Sequence, residues 1–131
     1  MTRSTLRATE TYQITFDFRD QYLYALIEGE TRNYPIMKQY WQDIAHKSAE
    51  GNCKRILLEN DIAENVSVMD MYTIMRSLSG MGFSQSRLAL VDRHPEHREI
   101  NEFGATVASN RGIKARVFDS VGDAAIWLMT G

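Results

Sequence analysis

From Tyr12 onward the chain switches repeatedly between two hydrophobic periods, and that switching constrains the fold more than any other feature. Tyr12, Ile14, Phe16 and Phe18 recur at every second residue, with Gln13, Thr15 and Asp17 between them. This is the period of a half-buried strand. Arg19-Asp20-Gln21 makes a short polar turn, and Tyr22 to Ile27 reads as a second strand ending at Glu28-Gly29-Glu30. So short a link forces antiparallel pairing, because a parallel pair needs a crossover of about a dozen residues or more. A hairpin opens the domain.

The period then lengthens. Met37, Tyr40, Trp41, Ile44 and Ala45 fall on one helical face, with Asn33 as the cap, Pro35 in the first turn and Gly51 at the end. Three further strands, Arg55–Glu59, Leu88–Val91 and Ala115–Phe118, alternate with helical spacings. The second helix carries Val68, Met71, Met75 and Leu78, and Gly80 and Gly82 close it. The third carries Ile100, Phe103, Gly104, Val107 and Ala108 and ends at Gly112. The fourth, capped by Ser120, carries Ala124, Ala125 and Leu128. Such alternation means βαβ units with right-handed crossovers. The expected fold is α/β, with a single mixed, mainly parallel sheet, an opening hairpin and four helices in the order ββαβαβαβα. Residues 12–131 form the domain, and residues 1–11, polar and without periodicity, are expected to be a flexible lead-in.

Composition narrows the function classes. The 131 residues suit one domain. Fifteen Lys and Arg against seventeen Asp and Glu give a net charge of -2. That argues against nucleic acid as a partner, since sequence-independent binding needs a cationic surplus. Cys53 is the one cysteine and cannot close an internal disulfide, which suits a reducing compartment. The first ten residues lack the apolar core of a signal peptide. No stretch approaches the roughly 20 apolar residues of a membrane span. A cytoplasmic location is expected.

The element order, together with the closing run RVFDSVGDAAIWL (Arg116 to Leu128), resembles the STAS or SpoIIAA-like domain family over about residues 12–129. The resemblance implies a bacterial signalling domain, non-enzymatic and without a cofactor, that docks a protein partner through its second helix and the loop before it. In the antagonist branch of that family an Asp-Ser-(Ser/Thr)-Gly motif opens the second helix, and its first serine is phosphorylated. Here the stretch reads Asn65-Val-Ser-Val-Met-Asp-Met-Tyr72, without the Asp-Ser pair or the glycine, and Ser67 lies nearest the modified position. The chain looks like a divergent stand-alone member.

Ligands of open parallel sheets bind beyond the C-terminal strand ends. Here that places Asn60, Asp61 and Asn65 in one candidate loop, and Asp92, His94 and His97 in another. Ser67 and Asp70 have the Ser-x-x-acid form of a capping box, a role worth on the order of 1 kcal/mol. A phosphate at Ser67, or a bound anion there, would meet the free N–H groups and positive dipole end of the helix. Met71, Met75 and Leu78 share the core-facing stripe, whereas Met69 lies off it, with Ile74 and Met81 at its edge. An exposed Met69 beside Tyr72 would mark a partner surface.

Other chemistries fit less well. His94-Pro-Glu-His97 spaces two imidazoles three apart, but no third ligand can be named, so no metal is expected. A solvated loop leading into an acidic first turn explains the same residues. No Gly-x-Ser-x-Gly elbow supports Ser67, His94 and Asp92 as a nucleophilic triad. Two further readings stay open. One is a carrier for a small apolar or lipid ligand between the second and third helices and the sheet. The other is a homodimer joined at the edge of the hairpin.

Overall fold

Alternating periods of two and about 3.6 produce the layered architecture they imply. The computed structural model describes residues 2–8 and 12–130. In chain order the strands are β1 (Thr2–Ala8), β2 (Tyr12–Arg19), β3 (Tyr22–Gly29), β4 (Arg55–Ile62), β5 (Arg87–Asp92) and β6 (Lys114–Phe118). The helices are α1 (Tyr34–Glu50), α2 (Val68–Ser77), α3 (Arg98–Ser109) and α4 (Val121–Met129). One mixed sheet runs β1-β2-β3-β4-β5-β6. Its first two pairings are antiparallel and the other three parallel. The expected hairpin, mixed sheet and four helices are all present.

Because the strand order never reverses, each right-handed crossover lands on the same face. Helices α1 and α2 therefore cover one side, packing on Ile14, Phe16, Leu23, Ile27, Ile56 and Leu58. The other side is covered by α4, whose Ala124 and Leu128 meet Tyr24, Leu26, Leu57, Ala89 and Val91. All three expected caps form: Asn33, Ser67 and Ser120 each accept a backbone N–H three residues on, at 3.1 Å.

Four expectations are corrected. Thr2–Ala8, read as part of a lead-in, is a strand along the outer edge of β2. That edge offers a row of backbone donors and acceptors, and a segment can pair with them without any hydrophobic alternation. Met1 and residues 9–11 of the expected lead-in lie outside the described residues. With strands on both sides of β2, the hairpin edge once considered for dimerisation is already occupied. Strand β4 also runs past Glu59, so Asn60 and Asp61 are strand residues rather than loop residues. Their register with Ile27 and Glu28 on β3 continues the ladder, and Asn60 pairs with Asp92 on the other side.

The helix faces are rotated slightly from expectation. Ile74 is fully buried rather than at the edge of its stripe, while Phe103 is 36% exposed. The buried face of α3 is centred on Asn101, Gly104, Ala105 and Ala108. A polar residue holds a core position there, and the site explains why.

Candidate functional site

Asp92, the last residue of β5, is the hub of a buried polar cluster. Its Oδ2 accepts from Asn101 Nδ2 at 2.8 Å, Asn60 Nδ2 at 3.1 Å and Arg32 Nη1 at 3.4 Å. His97 Nδ1 lies 3.0 Å from the same oxygen, and the His94 backbone N–H donates to Oδ1 at 2.9 Å. Arg32 also donates Nη2 to Asn101 Oδ1 at 3.2 Å, and its backbone N–H to Glu64 at 3.0 Å. The Arg32 and Asp92 side chains are only 6% and 7% exposed. Two atoms are left over: Arg32 Nε and Asn60 Oδ1 are buried without a partner.

His97 is a further correction. It was expected in a solvated loop, yet its side chain is wholly buried. The 3₁₀ turn Pro95–His97 swings the ring inward, where Nε2 lies 2.9 Å from the Ala63 carbonyl oxygen. Both ring nitrogens thus face acceptors, and the residue ties the loop before α2 to the end of β5.

Strand alternation sends the neighbouring side chains to the opposite face. Glu59, Asp61 and Arg93 form a second cluster there, beside Tyr24 of β3. The Tyr24 hydroxyl donates to Glu59 Oε1, and Arg93 Nε donates to Glu59 Oε2 at 2.9 Å. Arg93 Nη1 reaches Asp61 at 3.4 Å, and the His94 Nε2 lies 3.0 Å from the other Asp61 oxygen. Hydrogen bonding to Glu59 pushes the Arg93 guanidinium further toward its charged form. Burial, followed by the bond to Glu59, pushes the Tyr24 phenol from 10.0 up to about 12.

That shift gives a signed pH dependence. The folded state keeps the phenol neutral over a range in which an unfolded tyrosine ionises. Stability must therefore fall as pH rises from 10 toward 12. Urea midpoints should drop across this window in the native chain, and the part of the drop due to this phenol should vanish in Tyr24→Phe. Parallel drops in both proteins would remove Tyr24 as a cause.

The remaining candidates sit together at the start of α2, apart from both clusters. Ser67 Oγ accepts the Asp70 N–H, and Asp70 Oδ2 accepts the Tyr34 N–H at 3.1 Å, which pins α2 to the start of α1. Asn65 Oδ1 accepts the N–H of Val66 at 3.0 Å. Val68 and Met69 are 62% and 70% exposed. Tyr72 packs partly on the core edge, and Arg76, followed by Arg111, lowers its phenol. The structure thus gathers Asn60, Asp92 and His97 in one cluster and Asp61 with His94 in the next. Ser67, Asn65, Met69 and Tyr72 form a separate surface. The side chains of Ser67, His94 and Asp92 share no hydrogen bond with one another: the Ser67 hydroxyl caps α2, and the His94 ring faces Asp61.

The chain matches no family model, and no curated protein is significantly similar to it.

Two members of the main cluster escaped sequence reading. Arg32 carries no local signal, because its partner Asp92 lies 60 residues away. Asn101 did leave one, as a polar residue on the apolar stripe of α3, three before Gly104 and seven before Ala108. Beneath the cluster, Met37, Tyr40, Trp41, Met71 and Met75 enclose about 20 Å³, the space of roughly one water. Among the described residues, no group of three or more His, Cys, Asp or Glu side chains could hold a metal ion. No helix among them is long and apolar enough to cross a membrane. Chemically, the two clusters join strand ends to loops: the buried carboxylate of Asp92 and the exposed guanidinium of Arg93 each hold several partners in place.

Proposed function

We propose that the chain is a cytoplasmic, non-enzymatic binding domain that docks a protein partner on the first turn of α2 and the loop before it. The observation that carries this reading is the exposure of Val68 and Met69, side by side, on a helix whose other aliphatic side chains, Met71, Ile74 and Met75, are buried. The Ser67 cap and the bond from Tyr34 to Asp70 hold that turn rigid. A pre-ordered contact surface loses little conformational freedom on binding. The resemblance to STAS domains supports the same face. A phosphate or bound anion at Ser67 would add negative charge beside Asp70 and regulate the contact. The carrier reading has less support, because about 20 Å³ between the helices and sheet leaves a lipid no room.

The test places p-benzoylphenylalanine at Met69 or, as a control, at the similarly exposed Ile126 of α4, and crosslinks in the native host. A protein captured from position 69 and not from 126 is then purified for binding measurements. Met69→Asp should weaken it at least tenfold with the melting temperature unchanged. Ser67→Asp should do the same while keeping α2 intact, since aspartate is also a good N-cap. Identical captures from both positions, or full binding by Met69→Asp, would overturn the proposal.

A further inference from the structure

On a different face, β6 ends the sheet, with β5 as its only strand neighbour among the described residues. The Lys114 N–H donates to Ser86 O at 3.1 Å, on the β5 side. Backbone groups of successive strand residues point to alternate sides. Lys114, Arg116 and Phe118 therefore pair inward, and Ala115 and Val117 turn their N–H and C=O groups outward. Among the described residues, only the Ala115 carbonyl is engaged there, weakly, by the Ser109 hydroxyl at 3.4 Å. The strand has no proline and no bulge to blunt this edge. An edge left so open is a template for another strand.

The surroundings say what that strand should be. A groove of about 440 Å³ follows the edge between α3 and β6, and the small side chains of Ala105, Thr106, Ser109, Ala115 and Val117 line most of it. On the opposite side of the strand, Lys114 and Arg116 are exposed, with no salt bridge to either among the described residues. The nearby acids, Glu102 and Asp119, are both paired with Arg98. An added strand would thus place alternate side chains over a groove of small side chains, in which Ala105, Ala115 and Val117 are the apolar part, and against two cations with no carboxylate partner among the described residues. A second copy of this chain fits badly. Antiparallel pairing of β6 with itself in full register opposes Arg116 to Arg116, and like charges directly across a ladder are destabilising.

We infer that the free edge of β6 takes an extended segment of a partner protein, alternating acidic and small apolar residues, as a seventh strand. Main-chain bonds to Ala115 and Val117 supply the pairing, and Lys114 and Arg116 select the acidic face. This surface is independent of the start of α2, so the two proposals stand or fall separately.

The test titrates ¹⁵N-labelled protein with an acetylated, amidated eight-residue peptide alternating valine and aspartate, beside its valine–lysine counterpart. In the free protein the Ala115 and Val117 amides should exchange rapidly. The valine–aspartate peptide should shift and protect both, and its affinity should fall with salt. The lysine peptide should bind at least tenfold more weakly. Charge reversal in a Lys114→Glu, Arg116→Glu double variant should invert that preference. Val117→Pro deletes an outward N–H without touching the ladder to β5, so it should retain protected β5 amides yet lose binding at least tenfold. Equal binding of the two peptides, no binding at millimolar concentration, or shifts confined to α2 would overturn the inference. So would concentration-dependent protection of Ala115 and Val117 in the free protein, which would make the occupant a second copy.

Discussion

Asp92→Ala should destabilise the protein by on the order of 3–5 kcal/mol, the usual result of stranding one member of a buried ion pair. Arg32 is almost fully buried and has this carboxylate as its counter-ion. Truncation would leave the cation with only the Asn101 carbonyl oxygen, and its Nε already has no partner. Asn60 and Asn101 would also lose an acceptor for their amide groups, and the His94 N–H would lose its cap. Asp92→Asn keeps the volume and one accepting oxygen, but turns an NH₂ group toward a ring of donors. Its loss should be smaller than that of alanine and still exceed about 1 kcal/mol. Urea denaturation of both variants measures this, and a cycle with Arg32→Met separates the cation's share. A loss below about 1 kcal/mol for Asp92→Ala would show that water replaces the carboxylate, and that the cluster does not anchor the strand ends.

What the sequence reveals divides along a physical line. Elements with one apolar face, such as β2 and α1, must alternate with the period of their backbone, so Tyr12 to Phe18 and Met37 to Ala45 announce themselves. Caps are legible for a similar reason: Asn33, Ser67 and Ser120 bond to N–H groups three residues away, within the same short window. By contrast, β1 pairs through its backbone along an edge, and no side-chain pattern is required of it. The extension of β4 was hidden because Asn60 and Asp61 are polar. They are strand residues because β3 and β5 flank them and Asp92 and Arg93 satisfy them. Arg32 and His97 are the extreme cases. Their burial depends on partners such as Asp92 and the Ala63 carbonyl oxygen, which only the tertiary fold brings near. Asp92, His94 and His97 were legible as a group through the strand-end rule, but their function as a structural hub was not.

Gly104→Val should destabilise the protein by about 1–3 kcal/mol, the range for overfilling a packed core. A Cβ at Gly104 would sit 2.6 Å from Met71 Sδ, 3.1 Å from Met71 Cγ and 3.3 Å from Met75 Cγ. Helix α3 therefore crosses α2 with its bare backbone against these two methionines. Gly104→Ala should fall between the native chain and valine, because alanine recovers about 1 kcal/mol of helix propensity against its smaller clash. Removing the obstructing side chain distinguishes steric cost from propensity: Met71→Ala in the Gly104→Val background should cost less than Met71→Ala alone. If it costs as much, the two side chains do not compete for this space. Trp41 lines the same small cavity as Met71 and Met75, so its fluorescence should report the displacement in a folded variant. The first turn of α2 carries Val68 and Met69, so a helix pushed off the sheet there would also misplace the proposed docking surface. A folded Gly104→Val protein should then bind the crosslinked partner more weakly, although residue 104 lies outside the proposed contact.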